Sequence, residues 1–411
     1  MQISNSIYLR LKSRLKRRYE TQFIKSVNDL KNFPHSKTAK WVIEHQDDLQ
    51  VFTPQRWFFL KQLEALFFFL SQEPEALDEE FFSKADNEIF ERWNQSEFAD
   101  TFLKLLNKQV PLRKASLITA KVLDEHLLVL GNIHLLRKQS STKNYRLQSS
   151  LGDIKKQNKI SKLLETTLHL DGKELSLLTA SLKEMKKFSN RIEVATKVIK
   201  KFSPDSWARF SAFTDAVIPI KQKELVSYSH QDLPGVSMIN LYHRDFVDLL
   251  DDLLHENGHH HLNYYLNLGT LIEEPIDCIY YSPWRRTLRP LRGIYHAYFT
   301  FFWAFKLFSD MLKSNELDSI WYMFSDAEKE KITWRAVEEY WMLDYVYQDL
   351  KWAKKNSLIS KVGWDLIQEQ KISATKLKTK IIVWEKSLKL HKKDLKDLKR
   401  ELSVARKKYQ L

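Results

Sequence analysis

Two histidines spaced four residues apart mark the segment of this sequence best suited to chemistry. His255 and His259 flank Glu256 in an HExxH pattern. On a helix, both imidazoles project from one face and lie close enough to share one divalent cation. Glu256 then points partly away from them, toward the place of a metal-bound water or another ligand. The pattern therefore predicts a metal site with Glu256 as the candidate catalytic residue.

The neighbouring residues predict that this helix is buried. An apolar face leads up to the pair, formed by Phe246, Leu249, Leu250, Leu253 and Leu254. Gly258 lies inside the helix at a cost of about 1 kcal/mol relative to alanine, which indicates that another element packs closely there. His260 and His261 point to other faces, and we expect them either to support the ligands from behind or to face solvent.

The third protein ligand is left open by the residues themselves. The glycine and histidine that follow HExxH in metzincins are missing here. Glu273 or Glu274 would supply a carboxylate, and His296 would supply a third imidazole. A lone histidine in an apolar segment is usually a core residue, but the pair upstream favours a ligand role for His296. The set is three histidines if His296 binds, and two histidines with a carboxylate if Glu256, Glu273 or Glu274 binds.

Four arginines and two prolines lie in residues 281–293, between the histidine pair and His296. They are Arg285, Arg286, Arg289 and Arg292, with Pro283 and Pro290. Arginine grips carboxylates bidentately, so a stiff arginine-rich loop before a metal ligand indicates an anionic co-substrate. A hydrolytic zinc peptidase has no evident use for so much positive charge. The alternative is that these arginines face solvent and pair with Glu273, Glu274 or Asp277.

Several short motifs occur in order across residues 200–310. They are Leu233-Pro234-Gly235-Val236, His255-Glu256-Asn257-Gly258-His259, Ser282-Pro283-Trp284-Arg285, Arg289-Pro290-Leu291 and Gly293-Ile294-Tyr295-His296. In these motifs the chain resembles the HExxH-type peptide-modification family, which belongs among enzymes that make ribosomally synthesised, post-translationally modified peptides. The resemblance implies an Fe(II)- and 2-oxoglutarate-dependent hydroxylase acting on β-carbons of a precursor peptide. By motif position, it implies that His296 is the third metal ligand and that Arg285 and Arg289 anchor 2-oxoglutarate.

Two other functions stay open. The first is a zinc metallopeptidase with Glu256 as general base. The second is a non-catalytic scaffold that binds a peptide, with a vestigial or structural metal. Nucleic acid is not expected as the main partner, because basic residues gather at the two ends and no reader motif is recognisable. Residues 1–40 carry a net charge of +8 and residues 371–411 carry +10, which would suit a precursor peptide with an acidic leader.

Composition predicts a mainly α, multi-helix enzyme. Only 8 glycines and 10 prolines occur among 411 residues, well below the usual ~7% and ~5%, which argues against many short strands. Two β-type runs, Ala216–Ile220 and residues 236–241, predict a small β element next to the HExxH helix. The single Cys278 fits a reducing compartment, and no apolar run approaches the ~18 residues of a membrane helix, so we expect a cytoplasmic protein without membrane contact.

Four regions are expected along the chain. Residues 1–138 form an N-terminal helical region, residues 139–162 a polar linker or loop, and residues 163–370 the metal-binding catalytic domain. Residues 371–411 carry an apolar seam with alternating spacings of 3 and 4, which predicts a basic coiled-coil-like helix. That seam would pair with another helix or join two chains as a homodimer.

Overall fold

Helices make up most of the described chain, which confirms the predicted mainly α fold. The computed structural model describes residues 2–32, 37–44, 46–50, 60, 135–138, 145–148, 182–214, 216–220, 226–229, 235–242, 244–273, 279–314 and 320–409. Most of the predicted N-terminal helical region and linker lies outside these residues, as do Glu274, Asp277 and Cys278. Within the described ranges, no helix is long and apolar enough to cross a membrane.

The helices differ widely in length. Their bounds are Gln2–Leu30, Lys37–Glu44, Gln46–Leu49, Leu182–Phe202, Pro204–Phe213, Phe246–Leu266, Leu291–Ser314, Asp326–Lys355, Lys361–Thr375, Lys378–Ser387 and Lys392–Lys408, with a 3-10 turn at Trp321–Met323. The chain divides into two compact units. One comprises Met1–Leu11, Arg191–Phe213 and His243–Leu411, and the other comprises Lys12–Asn190 and Thr214–Tyr242. All three predicted histidine ligands lie in the first unit.

The second unit contains a five-stranded sheet. Its strands are β1 (Leu135–Lys138), β2 (Tyr145–Gln148), β3 (Ala216–Ile220), β4 (Tyr228–Ser229) and β5 (Val236–Asn240), in the order β2-β1-β3-β5-β4. β3 and β5 are the two runs predicted from sequence, and they pair in parallel, with Ala216 opposite Val236. Gly235 precedes β5 with a φ of 87°, a left-handed conformation that favours glycine. β2 shows that part of the segment predicted as a linker is a strand.

Three long helices build the part of the first unit that holds the histidines. We name them the HExxH helix (Phe246–Leu266), the His296 helix (Leu291–Ser314) and the Glu339 helix (Asp326–Lys355). The HExxH helix starts at a capping box, in which the Asp245 side chain accepts from the backbone N–H of Asp248 and the Asp248 side chain accepts from that of Asp245. Of the predicted apolar face, Leu249, Leu250, Leu253 and Leu254 are buried and Phe246 is half-buried. The helix packs against the other two helices.

The predicted arginine-rich loop is instead a β-hairpin, which we name the Arg285 hairpin. It consists of β6 (Ile279–Ser282) paired antiparallel with β7 (Thr287–Pro290) and a turn at residues 283–286. Arg286 adopts a positive φ of 52° in that turn. Both strands contact the His296 helix. The arginines therefore lie on hydrogen-bonded structure that fixes where each one starts.

The predicted coiled-coil-like segment forms three separate helices. Lys361–Thr375, Lys378–Ser387 and Lys392–Lys408 are separated by turns. The seam residues are buried, namely Ala374, Ile381, Leu388, Leu395, Leu398, Leu402 and Ala405. These helices contact the Glu339 helix of the same chain. The segment is thus not one continuous helix, and much of the seam that would join two chains is already covered.

Candidate metal centre

The two histidines of the HExxH pattern face each other. Their Nε2 atoms lie 3.2 Å apart, and their rings are steeply inclined, with centroids separated by 4.8 Å. One metal ion bound to both nitrogens at about 2.1 Å would subtend an angle of roughly 100° between them. That angle suits a tetrahedral site and a facial octahedral site alike. The pair therefore fits a single metal ion.

Close helix packing brings a third imidazole to this pair. A Cβ placed on Gly258 would lie 3.0 Å from the Cα of Thr300, so only glycine allows the HExxH helix to approach the His296 helix this closely. Thr300 is one turn beyond His296, and its hydroxyl donates to the His296 carbonyl at 2.9 Å. The contact predicted at Gly258 is thus confirmed. Because it lies one turn from His296, it brings His296 close to the histidine pair.

His296 lies beside the pair without closing a three-nitrogen site. Its ring centroid is 6.1 Å from that of His259, and its buried Nε2 has no hydrogen-bond partner among the described residues. Within the described ranges, no three His, Cys, Asp or Glu side chains are grouped so as to hold one ion. Buried polar atoms are usually paired, so an orphaned imidazole nitrogen near the ring of His259 suits a metal ligand.

Burial and neighbouring charge keep these imidazoles neutral. Burial lowers the pKa of His259 to about 4, and the positive charge of Arg285 adds to the effect. Burial, His259 and Arg292 lower the pKa of His296 to about 3. The pKa of His255 falls well below its ordinary value, first through burial and then through His259 and nearby arginines. Neutral imidazole is the form that binds metal, so no proton has to leave at neutral pH.

The two predicted anchoring arginines differ in exposure and in the residues that surround them. Arg285 is exposed at the hairpin turn, and its charge acts on both His255 and His259. Arg289 is half-buried on β7 and lies along Gly293, whose Cβ would be 3.5 Å from the arginine Nε. Neither guanidinium forms an ion pair with any described residue. Arg286, in contrast, pairs with Glu401 at 3.3 Å. Of the two predicted anchors, Arg285 is therefore the one whose charge acts on the histidine pair.

The candidate carboxylates are placed differently from one another. Glu256 is buried in the HExxH helix, adjacent to His255. Glu273 is exposed, and its backbone N–H donates to the Leu358 carbonyl at 2.8 Å. Glu274 lies outside the described residues. Of the alternatives for the third ligand, His296 is thus the one whose contact with the pair the structure shows.

Sequence reasoning missed the residues that support this site from behind. The Trp284 ring stacks on Phe301 with centroids 4.8 Å apart and planes inclined by 4°, and Phe301 contacts the His255 ring at 4.1 Å. The Trp284 indole N–H donates to Glu339 at 2.7 Å. A signal was available, because Glu339 occupies an apolar position in the repeat of Ile332, Ala336, Leu343 and Val346.

His260 and His261 are buried, so the expectation that they might face solvent is wrong. His261 lies among aromatic rings, with Phe213 stacked at 4.9 Å and Tyr8 edge-on at 5.3 Å. Both its ring nitrogens lack a hydrogen-bond partner. Arg209 is also buried nearby, with its Cζ 3.6 Å above the Trp303 ring. The aromatic surroundings of His261 show a packing role within the core.

No protein-family model matches this sequence, and no curated protein matches it either.

Proposed function

We propose that this protein is an Fe(II)- and 2-oxoglutarate-dependent hydroxylase that acts on the β-carbon of residues in a ribosomally made precursor peptide. The observation that carries the proposal is the exposed Arg285, which forms no ion pair with any described residue and whose charge acts on both histidines of a pair spaced for one metal ion. A cation beside a metal site suits an anionic co-substrate. The peptide and the β-carbon come from the resemblance in the sequence motifs.

Each residue of the site has a role in this proposal. His255, His259 and His296 hold the metal as neutral imidazoles, and Arg285 binds the distal carboxylate of 2-oxoglutarate through its guanidinium fork. Arg289 is a second anchor by motif position. With iron and 2-oxoglutarate bound, the chemistry supplied is insertion of one oxygen atom of O2 into a C–H bond, while 2-oxoglutarate becomes succinate and CO2. Glu256 orients a ligand histidine or the peptide.

The substrate is proposed from charge. The helix Gln2–Leu30 buries its apolar stripe and exposes Arg10, Arg14 and Arg17. The tail helix Lys392–Lys408 ends in three basic residues. Basic surfaces of this kind attract acidic segments, with an effect that weakens as salt rises. A precursor peptide with an acidic leader fits these surfaces.

The test measures 2-oxoglutarate affinity of Fe(II)-loaded protein without oxygen, followed by succinate release when oxygen is admitted. Arg285→Ala should weaken 2-oxoglutarate binding roughly 10- to 100-fold, because a charge-assisted contact contributes about 1.5–3 kcal/mol. Iron binding should persist. Arg285→Lys should rescue only in part, because an ammonium cannot reproduce the fork. Arg286→Ala is the comparison in the same turn. It removes the pairing with Glu401, so a loss equal to that of Arg285→Ala would show that the support of the turn matters and not the charge of Arg285.

A different result would overturn the proposal. If the wild type releases no succinate and binds no 2-oxoglutarate, the zinc metallopeptidase with Glu256 as general base becomes the leading alternative. Glu256→Gln would then abolish peptide cleavage, whereas Arg285→Ala would not. If the purified protein retains no metal and turns over no peptide, the non-catalytic scaffold becomes the leading alternative.

A further inference from the structure

A buried carboxylate on the Glu339 helix holds the turn that carries Arg285. Glu339 is fully buried, and its Oε2 accepts a hydrogen bond from the Trp284 indole at 2.7 Å. Trp284 is the residue directly before Arg285, and its ring is stacked flat on Phe301. Both the polar edge and the apolar face of the indole are therefore fixed. Arg285 starts from a backbone position that Trp284 sets.

The same helix also holds the metal-binding side of the site. Arg335, one turn before Glu339, donates through Nε to Asp251 at 3.0 Å. Asp251 lies one turn before His255 on the HExxH helix. The Nη2 atom of Arg335 lies 2.9 Å from the Oε1 atom of Glu339 as an ion pair. A continuous chain of contacts thus runs from the HExxH helix through Arg335 and Glu339 to Trp284.

The two oxygens of Glu339 have different partners. Oε2 accepts the hydrogen bond from Trp284, and Oε1 lies against Arg335 as an ion-pair partner, so the carboxylate links Arg335 to the turn that carries Arg285. A fully buried carboxylate persists only where such partners compensate for lost hydration. Burial raises the pKa of Glu339 to about 8, and the charge of Arg335 opposes that rise. In either protonation state, one oxygen can still accept from the indole.

We propose that Glu339 is a positioning residue that sets the separation between Arg285 and the histidine pair, and thereby selects the length of the dicarboxylate co-substrate. This inference rests on the proposed function, because it assigns Arg285 to the distal carboxylate. A co-substrate held between a metal and a fixed cation must match the distance between them. A looser turn should reduce the preference for one co-substrate length more than it reduces metal affinity.

The experiment compares Glu339→Gln with Glu338→Gln. Glutamine at 339 keeps the shape but is neutral and has one acceptor oxygen, so it loses the ion pair with Arg335 even where it still accepts from Trp284. Glu338 also pairs with Arg335 but makes no hydrogen bond to Trp284 in the part of the chain that the structure describes, which makes it the matched control. The probes are oxaloacetate, 2-oxoglutarate and 2-oxoadipate, with four, five and six carbons, titrated against Fe(II)-loaded protein without oxygen.

Glu339→Gln should weaken 2-oxoglutarate binding about tenfold and reduce its preference over the shorter and longer acids at least about fivefold. Iron affinity should stay within about threefold, and Glu338→Gln should match the wild type in preference. Trp284→Phe keeps the stacking on Phe301 and removes only the indole donor, so it should produce the same loss of preference. It also tests the hydrogen bond between Trp284 and Glu339 if Glu339→Gln does not fold. Unchanged preference in both variants would overturn the inference.

A second measurement does not depend on the proposed chemistry. Amide hydrogen exchange in residues 279–290 should become about tenfold faster in Glu339→Gln and Trp284→Phe, and stay unchanged in Glu338→Gln. If the wild type binds none of the three acids, the proposed function fails, and exchange alone decides whether Glu339 fixes the hairpin. Unchanged exchange in both variants would show that it does not.

Discussion

Each of two faces of the HExxH helix presents histidine side chains near an arginine from another element, and the two faces differ in how far those side chains are enclosed. On one face, His255 and His259 bring their Nε2 atoms within 3.2 Å of each other, next to the exposed Arg285. On the other, His261 is enclosed by aromatic rings, and Arg209 lies buried over Trp303. Burial lowers the histidine pKa values on both faces. A lowered pKa therefore does not distinguish the two faces, whereas the convergence of donor atoms on one face does.

The largest difference between the two faces should appear in metal affinity. His259→Ala should weaken Fe(II) or Zn(II) binding by more than about 100-fold, because loss of a ligand exceeds the 10- to 100-fold effect of altering a ligand's support. His261→Phe should leave affinity within about threefold, since phenylalanine fits an aromatic environment. Competition with a coloured chelator measures both. Equal losses in the two variants would contradict the assignment of the faces.

The two arginines should differ in their effect on stability. Arg209 is buried; among the described residues its Nε and Nη1 have no hydrogen-bond partner, and its Nη2 makes a 3.5 Å contact with the Leu254 carbonyl. Arg209→Met removes a poorly compensated charge and should raise the free energy of unfolding by about 1–2 kcal/mol, after allowance for the lost stacking on Trp303. Arg285→Met, at an exposed position, should stay within about 0.5 kcal/mol.

Urea denaturation of the two variants gives the comparison directly. Destabilisation by Arg209→Met would mean that an ordered water or an anion compensates the guanidinium, and the second face would then be a polar site.

A smaller effect is expected where the HExxH helix touches the His296 helix. Gly258→Ala would place a Cβ 3.0 Å from Thr300 Cα, which costs about 1–3 kcal/mol in overpacking and regains about 1 kcal/mol in helix propensity. We expect a net loss of about 1 kcal/mol in stability and weaker metal binding, because the helices must separate. Gly269→Ala is the control, since nothing lies within 4 Å of its added Cβ. Equal stability of the two variants would disprove the close contact.

The local features of the site followed from sequence because they depend on short-range periodicity. The spacing of His255 and His259 fixes their common face, and a glycine inside a helix indicates a close neighbour, which proved to be Thr300. The runs at β3 and β5 were likewise found from their composition. The position of His296 was predicted only as one of several alternatives, because its approach depends on how two helices cross.

The features that were missed depend on long-range pairing. The sequence predicts a loop in place of the hairpin because the arginines and prolines there obscure the short run at residues 279–282. Glu339 lies 55 residues from Trp284 along the chain, and no local pattern links them. The tail seam was correctly identified as apolar, but its 3-4 spacing does not distinguish a partner helix in another chain from the Glu339 helix in the same one.

The last helix of the tail is synthesised after the rest of the site, which sets the order in which the parts of the site can assemble. Its Glu401 accepts from Tyr281 at 2.6 Å and pairs with Arg286, so it holds the outer edge of the Arg285 hairpin. At about 5–20 residues per second, roughly 5–20 s of translation separate His296 from Glu401. The histidines thus leave the ribosome well before the residue that completes the hairpin's support. A metal ion captured during synthesis would meet an unfinished hairpin, and the nascent chain would complete the Arg285 hairpin last.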